Sequence, residues 1–359
     1  MTKGKKRDSR FELLRIITML MIIVHHLIVH GVFKSGMIKD GLPGTHPFAL
    51  YKLIAMGGKP AVILFILISG YFQINVELNI KNIVKLWLQV LFYSVGIAYI
   101  LIFFNLIPNN TPLMQYWFPV STVRYGFFTD YFKLILLSPF IKIMIKSLKE
   151  KQLLYLIIIG IVMGYIVPTA FFQENQREFT SYFFRFVIIF IIGAYLKIYG
   201  HERFIKNKKI IILFLLSLPV LFLNFTQIIS EFQKLNVKNS SAFLNFGYIN
   251  LIIALLIFIL FCSLPSFSNN LINFVSKQVF GVYLFHDHIL MRKVLWFNLF
   301  DVRKFIGHGS LNFIVQSAKA VLLIFIIGSV IDYVREKIFV VIYKTEIVIT
   351  NLTRKTTKD

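Results

Sequence analysis

Runs of about twenty mostly apolar residues recur along this chain from end to end, and that pattern limits the fold more than any motif does. An α-helix needs about that length to cross a hydrocarbon layer of roughly 30 Å. The 359 residues are 57% hydrophobic, with a mean hydropathy of +0.74, more apolar sequence than a soluble core of this size requires. The expected fold is all-α and polytopic. About ten transmembrane helices are predicted near residues 11–31, 48–72, 82–107, 127–147, 152–170, 180–199, 209–226, 243–263, 274–295 and 311–332. Residues 1–332 then form a single membrane domain, without internal repeats. Residues 333–359 mix charged and apolar side chains, which suits an interfacial helix and tail on the inner leaflet.

Charge sets the expected orientation. The first run follows Lys3, Lys5, Lys6 and Arg7 and carries both Arg and His, so it reads as an uncleaved span rather than a signal peptide. Basic residues cluster in the N-terminal segment, near 142–151, near 197–209 and after 334, and they are sparser in the alternate loops. That bias predicts both termini in the cytoplasm and an even number of spans. The net charge of +23 is scattered between apolar runs and forms no groove-like block. Orientation signals and anionic membrane lipid account for it, and no nucleic-acid partner is expected. The single cysteine, Cys262, excludes an internal disulfide and a cysteine-based metal site.

Within the first span, Glu12, Arg15, His26 and His30 fall on one helical stripe, with His25 beside it. Arg15 and His26 are eleven positions apart, about 20° beyond three full turns and separated by about 16 Å of rise. Ionisable groups at membrane depth are costly and point to function. Imidazole suits a general base, because its unperturbed pKa lies near neutrality. The planar fork of arginine suits a phosphate or an oxyanion. A snorkelling arginine and a hydrogen-bonded histidine are the plain alternative.

Three further segments stand out. Ser69-Gly70 allows close helix approach. Tyr116 and Trp117 precede a Leu-Ser-Pro-Phe segment at 137–140, and an aromatic belt explains them equally well. His286, Asp287 and His288 lie inside the ninth predicted span. On a continuous helix adjacent residues diverge, so these three alone make no zinc site, and Asp287 and His288 are expected to matter less than His286. No phosphate-binding loop or dinucleotide fingerprint occurs.

In these segments, taken in order, the chain resembles acyltransferase family 3, the multi-pass bacterial membrane acyltransferases. Arg15 and His26 match an arginine–histidine spacing in that family's first span. Ser69-Gly70-Tyr71, Tyr116-Trp117-Phe118, Leu137 to Phe140 and Gly281 to His286 match later motifs. The resemblance covers about residues 9–340. It departs where many members carry Arg-x-x-Arg at the inner end of the third span, because Lys81 and Lys85 stand there. Two lysines can attract phosphate but lack bidentate geometry.

The resemblance implies a bacterial cell-membrane O-acyltransferase, multi-pass, moving an acetyl or other short acyl group. The donor would be a cytoplasmic acyl-CoA such as acetyl-CoA, bound as substrate with no permanent cofactor and no metal. The acceptor would be a hydroxyl of a surface polysaccharide or a lipid-linked glycan. His26 and Arg15 would be catalytic, Lys81 and Lys85 would contact the donor, and His286 would be a further site residue. The rival readings are a transporter or flippase, or a polymerase, for lipid-linked polysaccharide precursors. Transporters often show repeats and broken spans. A polymerase would need a larger charged outer loop than residues 108–126, which hold only Arg124.

Overall fold

The computed structural model describes residues 7–37, 46–168, 181–200, 247–306 and 309–356, with a few positions between 212 and 218. All regular structure among them is helical. The helices are α1 (Ser9–His26), α2 (His46–Ala55), α3 (Gly58–Gln73), α4 (Ile80–Phe103), α5 (Met114–Trp117), α6 (Gly126–Ser147) and α7 (Glu150–Ile161). They continue with α8 (Tyr182–Tyr195), α9 (Tyr248–Ser263), α10 (Asn270–Val275), α11 (Val279–His286), α12 (Ile289–Lys293) and α13 (Ser310–Thr356).

Five helical stretches are long and apolar enough to cross a membrane: Ser9–Lys34, Leu50–Gln73, Ile80–Phe103, Tyr182–Gly200 and Ser310–Val341. The protein is therefore a helical membrane protein. The apolar run near 127–147 forms α6, and the run near 243–263 forms the shorter α9. Most of the run near 209–226 lies outside the described residues. The run near 274–295 is not one helix. It divides into α10, a 3-10 turn, α11 and α12, with a break at Asp287. At the other end of the chain, α13 continues without interruption through position 333, so no break separates the last apolar run from the residues after it.

Local chemistry sets the helix starts. Asp8, Asn79 and Ser181 cap α1, α4 and α8, each accepting from a backbone N–H in the first turn. Such caps satisfy donors that the helix itself leaves open. The span 48–72 bends at Met56–Gly57, between α2 and α3. The carbonyl of Ala55 at that bend accepts from His25 Nδ1 at 2.7 Å. His25 is thus bound to the bend, and a Cβ on Gly58 would collide with its ring.

Helices in lipid associate chiefly through close packing, which small residues permit. The pairing of α3 with α8 shows this most clearly. A Cβ on Gly70 would strike the carbonyl of Phe190, and one on Gly193 would strike that of Leu67. The reading of Ser69-Gly70 as a close-approach point therefore holds. One buried cluster joins α1, α4, α11 and α13, and another joins α3, α8 and α9. A cavity with apolar walls and a set of charged side chains runs beside α1.

Candidate active site

The cavity measures about 920 Å³ and follows the polar stripe of α1. Glu12, Arg15 and His26 all line it. Towards the Ser9 end its walls also carry Arg7, Ser69, Gln73, Asp130, Lys133 and Lys277. Near His26 they carry Lys59, Tyr283, Asp287 and Arg292. Arg15 donates to both carboxylate oxygens of Glu12, at 3.0 and 2.9 Å. Ser69 shares a hydrogen bond with the Tyr131 hydroxyl at 3.2 Å.

His26 meets α11 end-on. Its Nδ1 lies 3.0 Å from His286 Nε2 and 3.4 Å from Asp287 Oδ1. The tautomers follow from the partners. His286 Nδ1 faces the Val282 carbonyl at 2.7 Å, and a carbonyl only accepts, so that nitrogen carries the hydrogen. With His286 neutral, its Nε2 accepts from His26 Nδ1–H. His26 is left with its lone pair on Nε2. That is the form a general base needs, and His26 lines the cavity.

The first span adds a second feature here. Beyond His26 the α-helix widens into a π-turn, Leu27–Gly31. Such turns recur at functional sites. His30 comes to lie with its ring centroid 5.0 Å from that of His26 and its Nε2 4.0 Å from Asp287 Oδ1.

The expectation that Asp287 faces away is overturned. It rested on continuous helical geometry, and α11 ends at His286. Asp287 follows as the cap, so its carboxylate turns toward the same partner as His286. Arg292 on α12 donates to Asp287 Oδ1 from Nη2 at 2.7 Å and from Nε at 3.1 Å. Arg292 went unnoticed in the sequence, because only the break at 287 brings its side chain back over the site. His288 is buried and fully engaged. It contacts the Ser94 carbonyl through Nε2 at 3.1 Å and accepts from Leu290 N through Nδ1.

The remaining sequence candidates separate clearly. Tyr116 is buried and stacks on His288, with centroids 5.4 Å apart. Trp117 is exposed, and neither of the two lines the cavity. Lys81 and Lys85 are exposed at the Asn79 end of α4, outside the cavity walls.

His26, His30 and Asp287 each offer one donor atom, all within 4.8 Å of one another. That spacing alone would suit a divalent cation. The rest of the chemistry does not. The Asp287 oxygen already holds a guanidinium, and His26 Nδ1 is the donor to His286. A cation would have to displace Arg292 and bind beside its charge. Activity is therefore expected to survive dialysis against EDTA. Loss restored by added Zn²⁺ or Mn²⁺ would overturn this view of the cluster.

A helical membrane protein whose cavity carries arginine, carboxylate and histidine side chains, with that histidine paired to a second one, is the class that fold and site define. A family model described as an acyltransferase domain, Acyl_transf_3, matches residues 8–333. The chain belongs to this acyltransferase family, and it is an enzyme. No curated protein and no solved structure matches it.

Proposed function

We propose that the protein is a cell-membrane O-acyltransferase that moves an acetyl or other short acyl group from cytoplasmic acyl-CoA to a sugar hydroxyl. The acceptor is a surface polysaccharide or a lipid-linked glycan. The observation that carries this reading is that one cavity touches both Arg15 and His26. A donor entering at the Ser9 end and an acceptor entering near Arg292 would meet at the imidazole. In this reading the chain has about ten spans, and both termini lie in the cytoplasm.

The chemistry balances without a cofactor. His26 Nε2 takes the acceptor's hydroxyl proton as its oxygen attacks the thioester carbonyl carbon. The tetrahedral centre collapses, the C–S bond breaks, and the His26 proton passes to the leaving sulfur. The products are the O-acyl ester and free CoA thiol. Arg15 contacts a CoA phosphate or polarises the thioester carbonyl, sharing its charge with Glu12.

Purified protein incubated with labelled acetyl-CoA and membranes bearing the native glycan should release CoA thiol and label the glycan. A transporter or polymerase would do neither. Reporter fusions at Lys208 and Asp359 should read cytoplasmic, and one at Asn236 external. An external signal at Asp359 would overturn the topology.

Lys81 and Lys85 attract the anionic donor from outside the cavity, as clustered charge raises the local concentration of a counter-ion. Lys81→Ala with Lys85→Ala is expected to raise KM for acetyl-CoA, most strongly at low salt, and to leave kcat unchanged. An unaltered KM at low ionic strength would remove both lysines from donor capture.

A further inference from the structure

We propose that Asp287, held by Arg292, is the positioning counter-ion of His26 during acyl transfer. This rests on the reading of His26 as general base.

The backbone break sets up the geometry. Asp287 closes α11 with φ −92° and ψ 0°, its N–H bonded to the Tyr283 carbonyl at 3.0 Å. From that position a single oxygen, Oδ1, collects His26 Nδ1 at 3.4 Å, His30 Nε2 at 4.0 Å and Arg292 Nη2 at 2.7 Å. The Asp287 side chain is 6% exposed, so bulk water does little to solvate its charge. A buried carboxylate of this kind requires partners, and removing one is costly. Arg292 supplies the permanent partner.

A structural ion pair would satisfy itself anywhere in the bundle. This one sits against the one imidazole that must become positive in the reaction. When the acceptor's proton reaches His26 Nε2, an imidazolium forms beside His25, His30, His286 and Arg292. Each of these is neutral or cationic. Asp287 is the carboxylate within ion-pair reach of His26 among the described residues. It stabilises the transient charge through space and keeps its own proton count unchanged, as an orienting aspartate does beside a catalytic histidine. His286 Nε2 and Asp287 Oδ1 then flank the same His26 Nδ1–H. Together they hold the ring with Nε2 towards the cavity. Arg292 keeps the carboxylate from turning away.

The test measures CoA thiol release from acetyl-CoA in membranes carrying the native acceptor, at matched enzyme levels. Asp287→Asn keeps the shape and removes the charge. It should lower kcat by about 10²-fold or more, the usual cost of losing a preorganised electrostatic partner, with KM for acetyl-CoA unchanged. That variant also leaves Arg292 unpaired, so a purely structural pair could mimic the loss. The double variant Asp287→Asn with Arg292→Gln separates the two roles, because it removes both charges at once. A counter-ion role predicts that the double variant regains thermal stability but stays as slow as Asp287→Asn. Recovery of wild-type kcat in the double variant would overturn the proposal, as would a wild-type kcat in Asp287→Asn. His26→Ala is the reference. If it stays inactive while either of those outcomes occurs, only the counter-ion role fails. If His26→Ala is itself active, the base assignment fails first.

Discussion

Replacing His26 with alanine is expected to abolish detectable acyl transfer while the protein still inserts and folds. General base catalysis by a positioned side chain contributes about 10²–10⁴-fold. The larger end applies here, because the same ring is fixed by two partners, His286 and Asp287. His26 borders a cavity, so its removal enlarges an existing space rather than opening a void in a packed core. His25 is the internal control. It bonds the Ala55 carbonyl and packs on Gly58, so His25→Ala should lower thermal stability and retain transfer. Glycan acylation in cells, measured at matched membrane levels, distinguishes the two. Near-normal acylation by His26→Ala would mean that another histidine, with His30 the nearest, carries the base role.

Much of this site could be read from one helix. Periodicity alone joins Glu12, Arg15, His26 and His30, because an α-helix repeats its faces whatever surrounds it. Gly70 was legible as a contact because a glycine in an apolar span has few other uses. What could not be read depends on departures from regular geometry. The sequence from 274 to 295 is apolar enough to suggest one span, and nothing in its composition marks the break at Asp287. Helical spacing then sends Asp287 away from His286, and the break returns it. Arg292 is hidden for the same reason. Periodicity turns His25 off the stripe that holds His26, but the partner of each ring lay beyond it, since a neighbouring carbonyl claims one and a second histidine claims the other. Hydropathy alone suggests about ten spans. The charged α6, the short α9 and the divided segment at 270–293 fall outside the five long apolar helices.

The second large effect lies on the last helix, in a residue the sequence reading passed over. Asp332→Ala is expected to destabilise the fold by about 3–5 kcal/mol, the range for removing one partner of a buried charge pair. Asp332 is fully buried. Its Oδ1 accepts from Gln89 at 3.0 Å, Tyr93 at 3.1 Å and Arg335 at 2.7 Å, and Arg335 adds a second bond to Oδ2. The carboxylate therefore ties α13 to α4. It also fills the space left by Gly281 at the start of α11, where a Cβ would collide with it. The glycine of the Gly-Val-Tyr-Leu segment is thus required by a carboxylate some fifty residues later in the chain. Removing that carboxylate strands Arg335 and loosens the footing of α11, whose far end presents His286 and Asp287 to His26. Thermal unfolding of the detergent-solubilised protein should show a clear fall for Asp332→Ala. Asp332→Asn keeps an acceptor oxygen and loses the charge, so it should fall between alanine and wild type. Gly281→Val should resemble Asp332→Ala, because it forces the same carboxylate out of place. Wild-type melting in Asp332→Ala would mean that this network does not hold α4, α11 and α13 together.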